Sequence, residues 1–281
     1  RVRRAAALRL MELGPPSRRE LGRLNDLLTD RAPRVRTAAA RALGAIGDER
    51  AITPLIMGLT DPDPPTRLWC WKALRDLGEP ALVELVAHLD PHAPLADLSY
   101  TDEAGDVQVM RGILRERLPE LGVAVVFYLI RAVEEESGGL RVNALRVLWQ
   151  IGPEAKDAIP TLLELTEHEQ QELRFQSVRA LGAIGDLDPR VMPALDRALE
   201  DPTKQVRRTA KHAIKEIQKA AKEKAKKGGH GPRKAPRSQR DKQKPEPKQK
   251  QKPEPKQKQK QKPEPKQKPK QKPEPKAANA R

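Results

Sequence analysis

Large rings are almost absent: three Trp, two Tyr and two Phe supply 2% of the 281 residues. A core without them has to be assembled from many aliphatic side chains spread along the chain. Cysteine is scarcer still. The lone Cys70 excludes an intrachain disulfide and reads as a small apolar core residue. No apolar run passes the eight residues 123–130, well short of the roughly 20 that a membrane-spanning helix needs. Lysine is missing from most of the chain, with only Lys72 and Lys156 before residue 203. Absent too are a P-loop, a dinucleotide-binding glycine fingerprint and a nucleophile elbow. His88 and His92 are four apart, but Pro91 falls between them and no third ligand keeps company. No catalytic set, metal site or cofactor is implied.

What the chain does have is a repeated register. Anchors at Val2, Val35, Thr66, Met110, Leu140, Leu173 and Val206 are each followed by arginine, at 3, 36, 67, 111, 141, 174 and 207. Eight residues after each anchor stands Leu or Ile, eleven after it again Leu or Ile, and twelve after it glycine, except for Gln218 in the last copy. Anchor, +4, +8 and +11 fall within about a quarter turn on a 3.6-residue helix, so they form one apolar stripe. The glycine then predicts a left-handed helix end. A second apolar run follows each glycine, beginning at Ile52, Ala81, Val123, Ile159 and Val191. Each unit is therefore a helical hairpin that cannot bury both stripes alone, whereas stacked copies share a core.

Strings such as VRTAAARALGAIGD and LRFQSVRALGAIGD resemble the HEAT repeat, in the short prokaryotic form typified by the phycobilin-lyase-like repeats of the armadillo-like superfamily. The resemblance covers roughly residues 1–220. It implies an all-α fold, a right-handed α-α superhelix of HEAT/ARM type, followed here by a long capping helix and a disordered tail. For function it implies less, since that scaffold serves binding proteins, assembly factors and a few enzymes. The HEAT-type diiron hydroxylases require several His-Glu pairs in helix register. Only His168-Glu169 is such a pair, and slots such as Thr37 and Ala38 carry no ligand.

The domains expected are 1–202, six hairpins with an irregular insertion near 91–105; 203–227, a basic capping helix; and 228–281, a Lys/Pro/Glu/Gln-rich tail. The insertion shows as an anchor spacing of 44 between Thr66 and Met110, and it reads equally as a recognition loop or an inert one. Ser17 and Glu20 form a capping-box signature for the first copy's second helix. Asp30, Asp61 and Asp201 stand five residues before their anchors, with Glu135 at that place in the fifth copy. With Arg36, Arg67, Arg111, Arg141, Arg174 and Arg207 they are expected to bond between neighbouring repeats as a ladder, the alternative being a binding stripe. Trp69, Trp71 and Trp149 read as packing between adjacent first helices, or as an exposed aromatic contact.

Charge is split along the chain. Residues 1–202 hold 26 Lys+Arg against 32 Asp+Glu, a net −6; the rest hold 29 against 7, a net +22. On the terminal helix Val206, Ala210, Ile214 and Ile217 are expected inward, while Lys204, Arg208, Lys211, Lys215, Lys219 and Lys222 face solvent. Beyond it, four imperfect copies of KPEPKQKQ lack any aromatic or branched aliphatic side chain, so nothing offsets their ordering entropy. Two functions follow. The first is a non-catalytic scaffold for protein–protein interaction or assembly, taking a protein or peptide, basic by charge complementarity, on a concave face lined by the second helices. The second is sequence-blind binding of nucleic acid or another polyanion through the Lys-rich helix and tail, with a wall polymer or anionic surface as further partners. The chain begins with arginine and without the turn that should precede Val2, so a fragment or processed form is expected, leaving the compartment open between cytoplasm and envelope.

Overall fold

A computed structural model of the chain describes residues 2–13, 20–136, 138–185 and 188–228. The contacts divide it into Arg1–Gly231 and Pro232–Arg281, and the second unit, with the KPEPKQKQ copies, lies outside the described residues. So do Ser17 of the expected capping box and Gly14.

The first unit is an all-α solenoid. Its first helices are α1 (Val2–Leu13), α3 (Pro33–Ile46), α5 (Pro64–Leu77), α7 (Met110–Arg117), α9 (Gly138–Ile151), α11 (Gln171–Ile184) and α13 (Lys204–Gly228). Between them come the second helices α2 (Leu21–Leu27), α4 (Ile52–Met57), α6 (Glu79–Ala87), α8 (Val123–Glu135), α10 (Ile159–Leu165) and α12 (Val191–Ala198). α1 packs on α3, α3 on α5, α9 on α11 and α11 on α13. From α3 onward the first helices turn the predicted stripe inward: Val35, Ala39, Leu43 and Ile46 are all buried, as are Leu173, Ser177, Leu181 and Ile184. On α1 the anchor fails, since Val2 and Ala6 are exposed at the end of the stack. Leu77, Leu121, Ile151 and Ile214 are half-buried against the same core. Fully burying a Leu or Ile contributes about 1.5–3 kcal/mol, so the continuous aliphatic core carries the stack despite the shortage of rings. Cys70 sits in it at 0% exposure, and burial pushes its thiol up to about 12.

The described helix-ending glycines 47, 78, 122, 152 and 185 all have positive φ, and Gly47 takes the predicted left-handed helix end, with φ 68° and ψ 33°. At Gly78 and Gly122 ψ is −138° and −130°. Each of these residues is also the N-cap of the helix that follows, so one residue must reverse the chain. That backbone region is open almost only to glycine.

Two first-helix crossings leave no room for a Cβ where a glycine stands nine residues after the anchor. A Cβ built on Gly182 would lie 2.5 Å from Ala213 Cβ, and one on Gly44 would lie 2.8 Å from Ala73 Cβ. The insertion is less irregular than the sequence suggests. It holds an antiparallel hairpin, β1 (Ser99–Thr101) on β2 (Val107–Val109), closed by Asp102, whose Oδ1 accepts from the amides of Ala104 and Asp106. The fourth copy also departs from the unit, since α7 gives way to a 3-10 turn at Leu118–Leu121 that carries Pro119.

Candidate functional site

Five of the seven recurring arginines share one role. Arg36, Arg67, Arg174 and Arg207 donate from Nη1 to the carbonyls of Asp30, Asp61, His168 and Asp201, at 2.9, 2.7, 2.8 and 2.6 Å. These carbonyls follow the end of each preceding second helix, where helix geometry leaves oxygens without partners. Arg141 donates instead from Nε, to the carbonyl of Val133 within the last turn of α8.

Where the next unit has an aspartate at the matching place, the same side chain reaches on to it. Arg36 bonds both oxygens of Asp61 at 2.6 and 2.8 Å, and Arg174 bonds those of Asp201 at 2.7 and 3.3 Å. Arg3 holds Asp30 in the same way. Each aspartate also accepts from the amide two residues on: Ala32, Asp63 or Thr203. Burial works to raise Asp201, but Arg174 and Thr203 hold it below the usual aspartate range. The Asp61 carboxylate in turn raises Arg36.

Arg67, Arg111, Arg141 and Arg207 reach no such carboxylate among the described residues. Arg67 stacks on Tyr100 of the hairpin, 3.9 Å from the ring centroid. Glu135 is not a rung: it pairs with Arg131, one turn back on α8, because α8 runs through it instead of ending before it.

On α13, Val206, Ala210 and Ile217 are buried, joined by Ala213, while Ile214 is half-buried. Lys204, Arg208, Lys211, Lys215, Lys219 and Lys222 are all exposed. At 100° per residue they fall within about 80° of arc, a single cationic stripe.

Two joined clefts open on the first helices, whereas the sequence reading favoured the second helices as the binding layer. One, of about 990 Å³, lies among α9, α11 and α13 and is lined by Trp149, Phe175, Ile184, Ile217 and Ala220. The other, of about 530 Å³, is lined by Arg115, Arg146, Arg179, Glu172 and Gln176, and shares Trp149, Phe175 and Arg179 with the first. Arg179 lies 3.3 Å from the Trp149 ring centroid. Farther along the stack Trp69 lies between Arg41 and Lys72, at 4.6 and 4.7 Å. Trp149 and Trp69 thus combine both readings: each bridges adjacent first helices and each lines a cleft. Trp71 is buried, its Nε1 donating to Glu120 Oε2 at 3.1 Å.

Burial first, and then the Arg146 charge, hold Arg115 and Arg179 below the ordinary arginine value. The body's net negative charge therefore does not describe this face. Arg41, Lys72, Arg146 and Arg179 all stand six residues after their anchors, a register that sequence reading passed over because it lies opposite the apolar stripe.

His88 is buried with Nδ1 2.7 Å from its own helix's Glu84 carbonyl, and His92 is exposed. His168 accepts from the Gln170 amide through Nδ1 at 3.0 Å. Among the described residues no group of three His, Cys, Asp or Glu is arranged to hold a metal ion, and no helix is long and apolar enough to cross a membrane.

Comparison with known proteins finds the family described as HEAT repeats matching residues 1–75, 22–96 and 128–215. The phycocyanobilin lyase subunit alpha of Picosynechococcus sp. (strain ATCC 27264 / PCC 7002 / PR-6) is 31% identical over 162 residues, 56% of this chain and 60% of that protein. The deoxyhypusine hydroxylase of Gallus gallus is 34% identical over 99 residues, 34% of this chain and 32% of that protein. The chain thus spans less than two thirds of either relative. Among solved structures, human deoxyhypusine hydroxylase in complex with glycerol is 25% identical, with a TM-score of 0.37 over 77% of this chain and 79% of that one. The complex of CpcE and CpcF of phycocyanin lyase from Nostoc sp. PCC7120 is 21% identical, with a TM-score of 0.39 over 59% and 99%.

Proposed function

The chain belongs to the HEAT-repeat family, and from that premise we propose that it is a non-catalytic scaffold holding a protein or peptide along its first helices. The observation that carries this reading is the pair of joined clefts around Trp149, Phe175 and Arg179. Their lining is made of groups that bind: aromatic faces, guanidinium forks and short apolar side chains. A photo-crosslinking amino acid placed at Phe175 should capture a protein from a cell extract, and one at Phe127, exposed on α8, should not. Equal capture at both positions, or none at Phe175, removes the reading.

A second reading rests on the α13 stripe. Lys204, Arg208, Lys211, Lys215, Lys219 and Lys222 suit a polyanion, nucleic acid included, held through phosphate charge alone. Six phosphate contacts would give a slope of log K against log salt of about −5 on duplex DNA. Filter binding tests it: a flat slope, or no retention at low salt, ends this second reading.

A further inference from the structure

Three consecutive first helices each bring a guanidinium to the same 530 Å³ cleft: Arg115 from α7, Arg146 from α9 and Arg179 from α11. Two carboxylates, Glu116 and Glu172, share the lining. Glu172 is already engaged, accepting from Arg146 at 3.3 Å and from Gln176 Nε2 at 2.8 Å. Gln176 is 2% exposed and its Oε1 has no partner. An oxygen left without a donor in so buried a position is unusual in a folded protein, and here it belongs to a residue of the cleft wall.

Cations also outnumber acids in the joined 990 Å³ cleft, where Arg208 and Lys224 add to Arg179 against Glu216 alone. That cleft's floor is apolar. Stacked helices lie roughly 8–10 Å apart, so the groove from α7 to α13 is about 27 Å long and accommodates some eight residues of extended chain.

We infer that this groove takes an acidic peptide segment carrying a bulky apolar side chain, its carboxylates on Arg115, Arg146 and Arg179 and its apolar residue between Phe175 and Ile217. Guanidinium groups pair with carboxylates in two-point geometry, and the indole and phenyl faces supply the apolar contact. The chain's own tail, net basic, does not fit the role. The inference rests on the scaffold reading above and goes further by fixing the partner's chemistry.

The test is a phage-displayed library of random 16-residue peptides selected against the full chain. Enrichment of acidic sequences with one large apolar residue is expected. Their binding should fall at least tenfold in Arg146→Glu/Arg179→Glu and about threefold in Arg146→Gln, a milder change that keeps the side-chain stem. Arg23→Glu, at an exposed site on α2, should bind as the parent does, and all variants should keep the parent's circular dichroism. Enriched sequences that are neutral or basic, or acidic ones indifferent to both arginine variants, overturn this inference and leave the scaffold reading standing. No enrichment over an uncoated surface overturns both.

Discussion

Replacing Gly182 by alanine sets two known effects against each other. Alanine is favoured over glycine inside a helix by about 1 kcal/mol, so propensity alone predicts stabilisation. The new Cβ, however, would lie 2.5 Å from Ala213 Cβ and 3.1 Å from Ala213 Cα, where carbon atoms prefer roughly 3.5–4.0 Å. Neither obstacle is the end of a flexible chain, so α11 and α13 must part by about 1 Å, an overpacking that costs about 1–3 kcal/mol. The net expectation is destabilisation of about 1 kcal/mol, read as a lower urea midpoint by circular dichroism. Solenoid units couple mainly to their neighbours, so the loss should concentrate at the end of the stack. Hydrogen exchange should show α13 opening more readily while α3 and α5 keep their protection. Ala213→Gly in the same chain should recover at least 1 kcal/mol in a double-mutant cycle. Gly22→Ala, with nothing within 4 Å of its added carbon, should be neutral or stabilising. A Gly182→Ala protein as stable as the parent, or one that Ala213→Gly fails to rescue, refutes the close-crossing argument.

Arg174→Ala strands the Asp201 carboxylate, whose side chain is 6% exposed, and should cost about 2–3 kcal/mol in urea unfolding, with part of it recovered by adding Asp201→Asn. Because Asp201 is held below its ordinary value of 3.8, its contribution is present above that pH and fades as pH falls through the lower folded value; Asp201→Asn should flatten that part of an acid titration. Cys70, with its thiol pushed up to about 12, should be silent to Ellman's reagent in the native protein and react fully in denaturant; rapid native labelling would contradict its burial. Tyr100→Ala removes the ring under Arg67 and should lower stability by roughly 0.5–1 kcal/mol, with exchange rising in the hairpin; an unchanged hairpin would mean the stacking holds nothing.

The stripe and its terminating glycines were legible because one helical period fixes which side chains go inward, and seven copies average out local exceptions such as Thr66. The two-stranded hairpin was not, since three-residue strands such as Ser99–Thr101 are too short to show an alternation. The capping role of the arginines was half legible. Spacing located Arg36 and Asp61, but nothing in it told that Arg36 also bonds a backbone carbonyl, nor that Glu135 would stay inside α8. The arginine-lined cleft on the first helices was not legible. Net charge averages over all faces, whereas the arginines at 41, 146 and 179 recur in a register that burial does not constrain. Aligning the copies on +6 as well as on the apolar positions would have found them.

The buried rungs fall near the two ends of the solenoid, Arg36 with Asp61 and Arg174 with Asp201, and none joins the units between them among the described residues. Mechanical load would then distribute unevenly. Two stiff terminal blocks would share a compliant middle, and in an optical trap the first lengthening under force should come from the segment around α7 to α9.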